Sequence, residues 1–124
     1  MLQHIKDLPP HVAGIHAVGK VTGEDYEKVL MPLFDEYLQT YKGINYLLVL
    51  ETDVSNFTLA AWWRDFKIMV KYYRKWNKIA VVTDKSGVEW FIDVFMRVIP
   101  GQSKRFPLDK LDEAIKWVSG KNEL

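Results

Sequence analysis

A chain of 124 residues has the length of one compact domain, and its 48% hydrophobic and 14% aromatic content supplies enough apolar surface for a core, which excludes intrinsic disorder. Seventeen basic against sixteen acidic residues leave a net charge of +1, which argues against a dedicated polyanion binder and leaves only local segregation of sign to be read. The absence of cysteine excludes disulfide scaffolds, thiolate metal sites and cysteine nucleophiles.

Residues 11–21 carry Val12, Ile15, Ala17, Val18 and Val21 and predict a strand, paired as a hairpin with a short first strand over residues 2–5 across the turn at Pro9 and Pro10. Thr22 stands three residues before Asp25, a capping-box spacing, and Tyr26, Val29, Leu30, Leu33, Phe34, Tyr37, Leu38 and Tyr41 then follow a helical rhythm that stops at Gly43. Pro32 inside that helix predicts either a kink or a position where the lost backbone bond faces water. The run from Ile44 to Leu50 has the length and apolarity of a strand buried on both faces, which makes it central in a sheet.

A polar turn follows, then a long helical pattern from Phe57 or Thr58 to Asn77. Residues 78–83 predict another buried strand. Ser86 is placed to cap a third helix ending near Ile99, before Pro100 and Gly101. A short strand over residues 103–106 and a final helix over residues 108–118 complete the order. Strands alternating with helices predict an α/β fold: a mixed, mostly parallel sheet of four or five strands with four helices, in a single domain spanning residues 1–124.

The second helix is unusual. Wound at roughly 100° per residue, it places Arg64, Lys67, Lys71, Arg74, Lys75 and Lys78 within an arc of roughly 100°. The remaining arc, roughly 220° wide, holds Trp62, Trp63, Phe66, Ile68, Met69, Val70, Tyr72, Tyr73 and Trp76 and is interrupted only by Asp65, whereas a helix lying on a sheet needs an apolar stripe only somewhat wider than about 100°. Residues 64–78 carry six basic side chains and one acidic, so the rest of the chain is net −4. The third helix repeats the excess, with Trp90, Phe91 and Phe95 among apolar residues that occupy most of its circumference.

Three outcomes follow from this surplus. The two helices bury one another in a large aromatic core, or the face is a homodimer or partner interface, since Trp, Tyr, Met and Arg favour such contacts. The third outcome is a site for a hydrophobic small molecule or an anionic membrane surface. Trp62, Trp63, Phe66, Met69, Tyr73, Trp76, Trp90, Phe91 and Phe95 would then supply apolar contacts, and Arg64, Lys67, Lys71, Arg74, Lys75 and Lys78 would meet anionic headgroups.

Other chemistry is not advertised. The spacing of Gly14, Gly19 and Lys20 matches a phosphate loop, but Val21 stands where the magnesium-binding hydroxyl belongs. His4, His11 and His16 are not spaced as a metal site, and Asp84, Glu89 and Asp93 have no nucleophile or histidine beside them in sequence. Neither metal nor cofactor is expected, and the reading is of a non-enzymatic binding protein. Nucleic acid is disfavoured because the aromatic residues face away from the basic arc. No apolar run approaches the length of a membrane span, and residues 1–10 lack the apolar core of a secretory signal, so the expected location is cytoplasmic, peripheral to the inner face of the membrane if the lipid reading holds.

Several local strings resemble the SpoIIAA-like family, distant relatives of the sulfate transporter and anti-sigma-factor-antagonist (STAS) domains. They are Gly19-Lys20-Val21-Thr22 with Asp25-Tyr26 and Pro32, Ala61-Trp62, Ile79-Ala80-Val81-Val82 with Asp84-Lys85, and Leu111-Asp112-Glu113-Ala114 with Trp117. The resemblance implies a STAS-like fold and a bacterial, binding or regulatory module related to lipid-binding folds. Anti-sigma-factor antagonists carry a phosphorylated serine at the start of the helix after the central strand. This chain departs from that motif, having Asn56-Phe57-Thr58-Leu59-Ala60 there, so Ser55 and Thr58 are the only hydroxyls left near the expected position and Thr58 reads as a helix cap.

Overall fold

The computed structural model describes residues 1–52, 56–84 and 101–120. Five strands form one sheet in sequential order: β1 (Leu2–His4), β2 (Ala13–Ala17), β3 (Ile44–Leu50), β4 (Trp76–Val82) and β5 (Gln102–Phe106). β1 runs antiparallel to β2, and β2, β3, β4 and β5 are mutually parallel, so the expected hairpin and the mixed, mostly parallel sheet are both present. The apolar run of β3 occupies the middle position, where both faces are covered.

Strand alternation divides the core in two. Ile15, Tyr46, Ile79 and Val81 point to one face, where they meet the helices that precede β3 and β4. Leu47, Val49, Ala80 and Val82 point to the other, covered by α4 (Leu111–Ser119) through Ala114 and Val118. Sequential parallel strands joined by right-handed crossovers require this asymmetry, because successive crossover helices then fall on the same side.

The first crossover begins with the expected capping box: the Thr22 amide donates to the Asp25 carboxylate at 2.8 Å, and the Asp25 amide donates to Thr22 Oγ1 at 3.3 Å. The expected helix follows without a break to Tyr37, but its hydrogen-bond pattern changes along the way. α1 (Gly23–Asp25) passes into a π-helical turn (Tyr26–Leu30) and then α2 (Met31–Tyr37), with Pro32 in the first turn of α2. Proline has no amide hydrogen, so the ladder shifts just before it and Met31 bonds back to Tyr26 instead of the residue four before. Phe34 of α2 is fully buried and meets Tyr46, Tyr72 and Trp76 edge-on at 5.1, 5.5 and 5.5 Å between ring centres.

α3 (Leu59–Lys71) is the second crossover helix. Thr58 caps it, its Oγ1 accepting from the Ala61 amide at 3.0 Å. The backbone around Thr58 is tied to Val21 by two hydrogen bonds of 3.0 Å, which brings the start of α3 beside the start of α1. Gly23 lets the two helices approach so closely that a Cβ there would lie 3.1 Å from the Ala60 Cβ.

The expected helix to Asn77 is corrected by the structure. α3 ends at Lys71, a 3₁₀ turn occupies Tyr73–Lys75, and Trp76 already belongs to β4, where it pairs with Ile44. Pairing with β3 and the aromatic cluster around Phe34 decide the state of this stretch against its helical periodicity. The expected third helix, with Trp90, Phe91 and Phe95, and Ser55 lie outside the described residues.

Candidate interaction surface

Inward-facing Ala61, Ile68 and Tyr72 hold α3 and the turn after it to the sheet, each at most 4% exposed. On the outer side Leu59, Trp63, Phe66, Val70 and Tyr73 are exposed at 88, 57, 53, 56 and 51%. Steps of four, three and four residues place Leu59, Trp63, Phe66 and Val70 on one line along the helix, and Tyr73 follows in the 3₁₀ turn after it. The Trp63 and Phe66 rings stack at 5.9 Å and 21°. Four large exposed apolar side chains along one side of α3, with a fifth just past its end, are more than the scattered exposure common on monomer surfaces.

The cations named from the sequence separate into groups. Arg64 pairs with Glu27, and Lys71 lies 3.8 Å from Asp35 and over the Tyr72 ring, so both fasten α3 to the first crossover. Lys78 is on β4: its ammonium donates to the carbonyls of Trp117 and Gly120 at 3.1 Å and sits over the Trp117 ring, where it caps the end of α4. It is therefore removed from the proposed headgroup contacts. Lys67, Arg74 and Lys75 are exposed and form no ion pair among the described residues. The Lys67 ammonium lies 5.5 Å from the centre of the Trp63 ring, at the edge of the apolar row.

The aromatic residues separate too. Trp63, Phe66 and Tyr73 belong to the exposed row. Trp62 is half-buried and stacked on Phe57 at 5.0 Å, and Met69 is half-buried against the core. Trp76 is corrected: it is buried, its indole N–H reaching the Met69 carbonyl at 3.4 Å, and it cannot touch a ligand or membrane from the core. Leu59 and Val70 also belong to the row, although neither is among the contact residues expected from the sequence. Their spacing from Trp63 and Phe66 was the available signal.

Asp65, the one acid in the apolar arc, also has a place that periodicity did not disclose. The Tyr26 hydroxyl is hydrogen-bonded to its carboxyl, and burial pushes that carboxyl up to about 6 although the hydrogen bond favours its ionised form. The same burial, reinforced by the nearby Asp65 charge, raises the Tyr26 and Tyr46 hydroxyls well above the ordinary tyrosine range. At the other end of α3 the Tyr72 hydroxyl donates to Asp35 at 2.5 Å and is likewise raised, first by burial and then by that carboxylate.

A separate cleft of about 350 Å³ lies between the β1–β2 loop and α2, lined by His4, Lys6, Pro9, Glu36, Tyr37 and Tyr41 among others, with no residue of α3 in its walls. Among the described residues no cluster of His, Asp and Glu could hold a metal ion: His11 bonds the Ser119 carbonyl and His16 bonds Glu51. No helix among them is long and apolar enough to cross a membrane.

Comparison with known proteins agrees with the architecture. The SpoIIAA-like family profile matches residues 12–119. The chain is similar to an uncharacterized protein of the DUF3478 family with a SpoIIAA-like fold from Shewanella loihica PV-4, at 26% identity and a TM-score of 0.74, covering 95% of this chain and 92% of that one. No functionally curated protein matches. With the profile spanning most of the sequence and the fold shared over nearly its whole length, the chain belongs to the SpoIIAA-like family.

Proposed function

We propose that this protein is a non-enzymatic binding module that docks on an anionic membrane surface through α3. The observation that carries the reading is the row of Leu59, Trp63, Phe66, Val70 and Tyr73, exposed along one side of the helix and in the turn after it, with Lys67, Arg74 and Lys75 beside it. Aromatic side chains suit the layer between headgroups and acyl chains, and cations at its margin meet lipid phosphates and carboxylates. The steps of four and three would also suit a second helix. A two-fold pairing of copies, however, would gather like-charged flanks at one interface, so charge complementarity favours an anionic partner.

The three exposed cations, at about 1 kcal/mol each near an anionic leaflet, supply about 3 kcal/mol that salt screens. Partial burial of five apolar side chains supplies the share that salt leaves intact. Co-sedimentation with phosphatidylcholine vesicles, with and without phosphatidylserine, over a salt series tests the reading. Binding to the anionic vesicles at low salt, weakened roughly 100-fold as those cations are screened and abolished by the pair Trp63→Ala and Phe66→Ala, is the expected result. No binding at low salt, or a stable dimer that Phe66→Ala dissociates without any vesicle affinity, overturns it.

A further inference from the structure

We propose that the cleft between the β1–β2 loop and α2 binds a small zwitterion with an aromatic side chain, of the class of the aromatic α-amino acids. No residue of α3 lines it, so this site is separate from the membrane-docking face and does not rest on that reading. Its volume of about 350 Å³ has room for about a dozen water molecules at about 30 Å³ each, or for one organic molecule of about as many non-hydrogen atoms. An aromatic ring with a short polar chain has that size.

The fold holds the walls of this cleft in place. In the loop, the Ile5 amide donates to the Gly14 carbonyl and the Val12 amide to the Pro9 carbonyl, both at 3.0 Å, and the rings of Pro9 and Pro10 stiffen the turn. Leu8 packs so closely over Gly14 of β2 that a Cβ there would not fit. On the opposite side the Tyr37 hydroxyl donates to the His11 carbonyl at 2.6 Å, and the Asn45 side-chain amide donates to the same carbonyl at 3.1 Å, which fastens the end of α2 to the loop. A cleft formed in advance in this way leaves little ordering to be done on binding.

The lining divides by chemistry. Leu8, Val12 and Leu33 are buried or half-buried and make the inner part apolar. The Tyr37 and Tyr41 rings lie 4.8 Å apart, inclined at 34°. Because the Tyr37 hydroxyl is engaged by the backbone, its ring is what faces a ligand, and an aromatic side chain packs well against such a pair. Lys6 from the loop and Glu36 from α2 are exposed on facing walls, and neither has an ion-pair partner among the described residues. A simple anion would meet Lys6 but confront Glu36, and a simple cation would do the reverse. A zwitterion satisfies both, its carboxylate beside Lys6 and its ammonium beside Glu36. His4, on the same wall as Lys6, adds a ring nitrogen able to hydrogen-bond the ligand.

The test titrates the isotope-labelled intact chain with L-phenylalanine, phenylacetate and phenethylamine, which share a ring and differ in charge, and follows the backbone amides by NMR. L-phenylalanine should give saturable shifts concentrated in residues 4–13 and 33–41, with a dissociation constant of about 1 mM, as befits about a dozen non-hydrogen atoms. Phenylacetate and phenethylamine each lose one exposed charge contact and should bind about threefold more weakly. Glu36→Gln should remove the preference over phenylacetate, and Lys6→Gln most of the preference over phenethylamine. Both residues are exposed, so the fold survives either change. The proposal is overturned if L-phenylalanine at about tenfold that concentration moves none of these amides, if either single-charge probe binds as tightly, or if the preferences survive both substitutions. None of these outcomes bears on vesicle binding through α3, so the two readings fail separately.

Discussion

Replacing Asp65 by Asn exposes the energetic consequence of a carboxyl held beneath α3, independently of any partner. Asparagine keeps the shape and an oxygen that accepts from the Tyr26 hydroxyl, but it cannot ionise. The Asp65 carboxyl titrates near 6 in the folded chain and near 3.8 when unfolded. Below about pH 3 both states hold the proton and the group imposes no penalty. As pH rises toward 6 the unfolded chain releases its proton first, so folding stability falls through this window, the reverse of the usual salt-bridged carboxylate. A difference of about two units corresponds to about 3 kcal/mol above pH 6, an upper bound because the residue keeps part of its surface in water. Urea unfolding across that range, followed by tryptophan fluorescence, measures it for both proteins. The stability of Asp65→Asn minus that of the unsubstituted chain should rise by up to about 3 kcal/mol from about pH 4 to about pH 7. A difference that stays flat, or falls as pH increases, refutes the reasoning.

Two further substitutions examine the framework that presents α3. Phe34→Ala removes a fully buried ring in edge contact with Tyr46, Tyr72 and Trp76 and should cost about 3 to 5 kcal/mol in chemical denaturation, whereas a loss below about 1 kcal/mol would mean the ring cluster is not the centre of the core. Thr58→Ala deletes the oxygen that accepts from the Ala61 amide and should cost about 1 kcal/mol, with recovery in Thr58→Ser, so equal stabilities of Ala and Ser variants would deny the cap its role.

The architecture was legible because its signals are local. Ile44 to Leu50 can be buried on both faces only as a central strand, and the Thr22 to Asp25 spacing has one obvious use, a capping box, which the structure contains. The boundary after α3 was not legible. Tyr72, Tyr73 and Trp76 continue a helical pattern as well as they begin a strand, and what separates the alternatives is the pairing of Trp76 with Ile44 and the ring contacts with Phe34, both made with residues more than thirty positions away. The basic arc was legible as residue types but not as available charge, because the partners of Arg64, Lys71 and Lys78 come from Glu27, Asp35 and the end of α4.

From residue order alone came the alternation of strands and helices, the central strand, the family resemblance and the surplus of apolar surface on the second helix, all properties of neighbours in the chain. Tertiary structure decided which part of that surplus stays in water: Trp76 is withdrawn into the core, while Leu59, Trp63, Phe66, Val70 and Tyr73 remain outside. A helical wheel records angles around one axis. Which angle meets the sheet depends on where Phe34, Tyr46 and Tyr26 stand when α3 arrives.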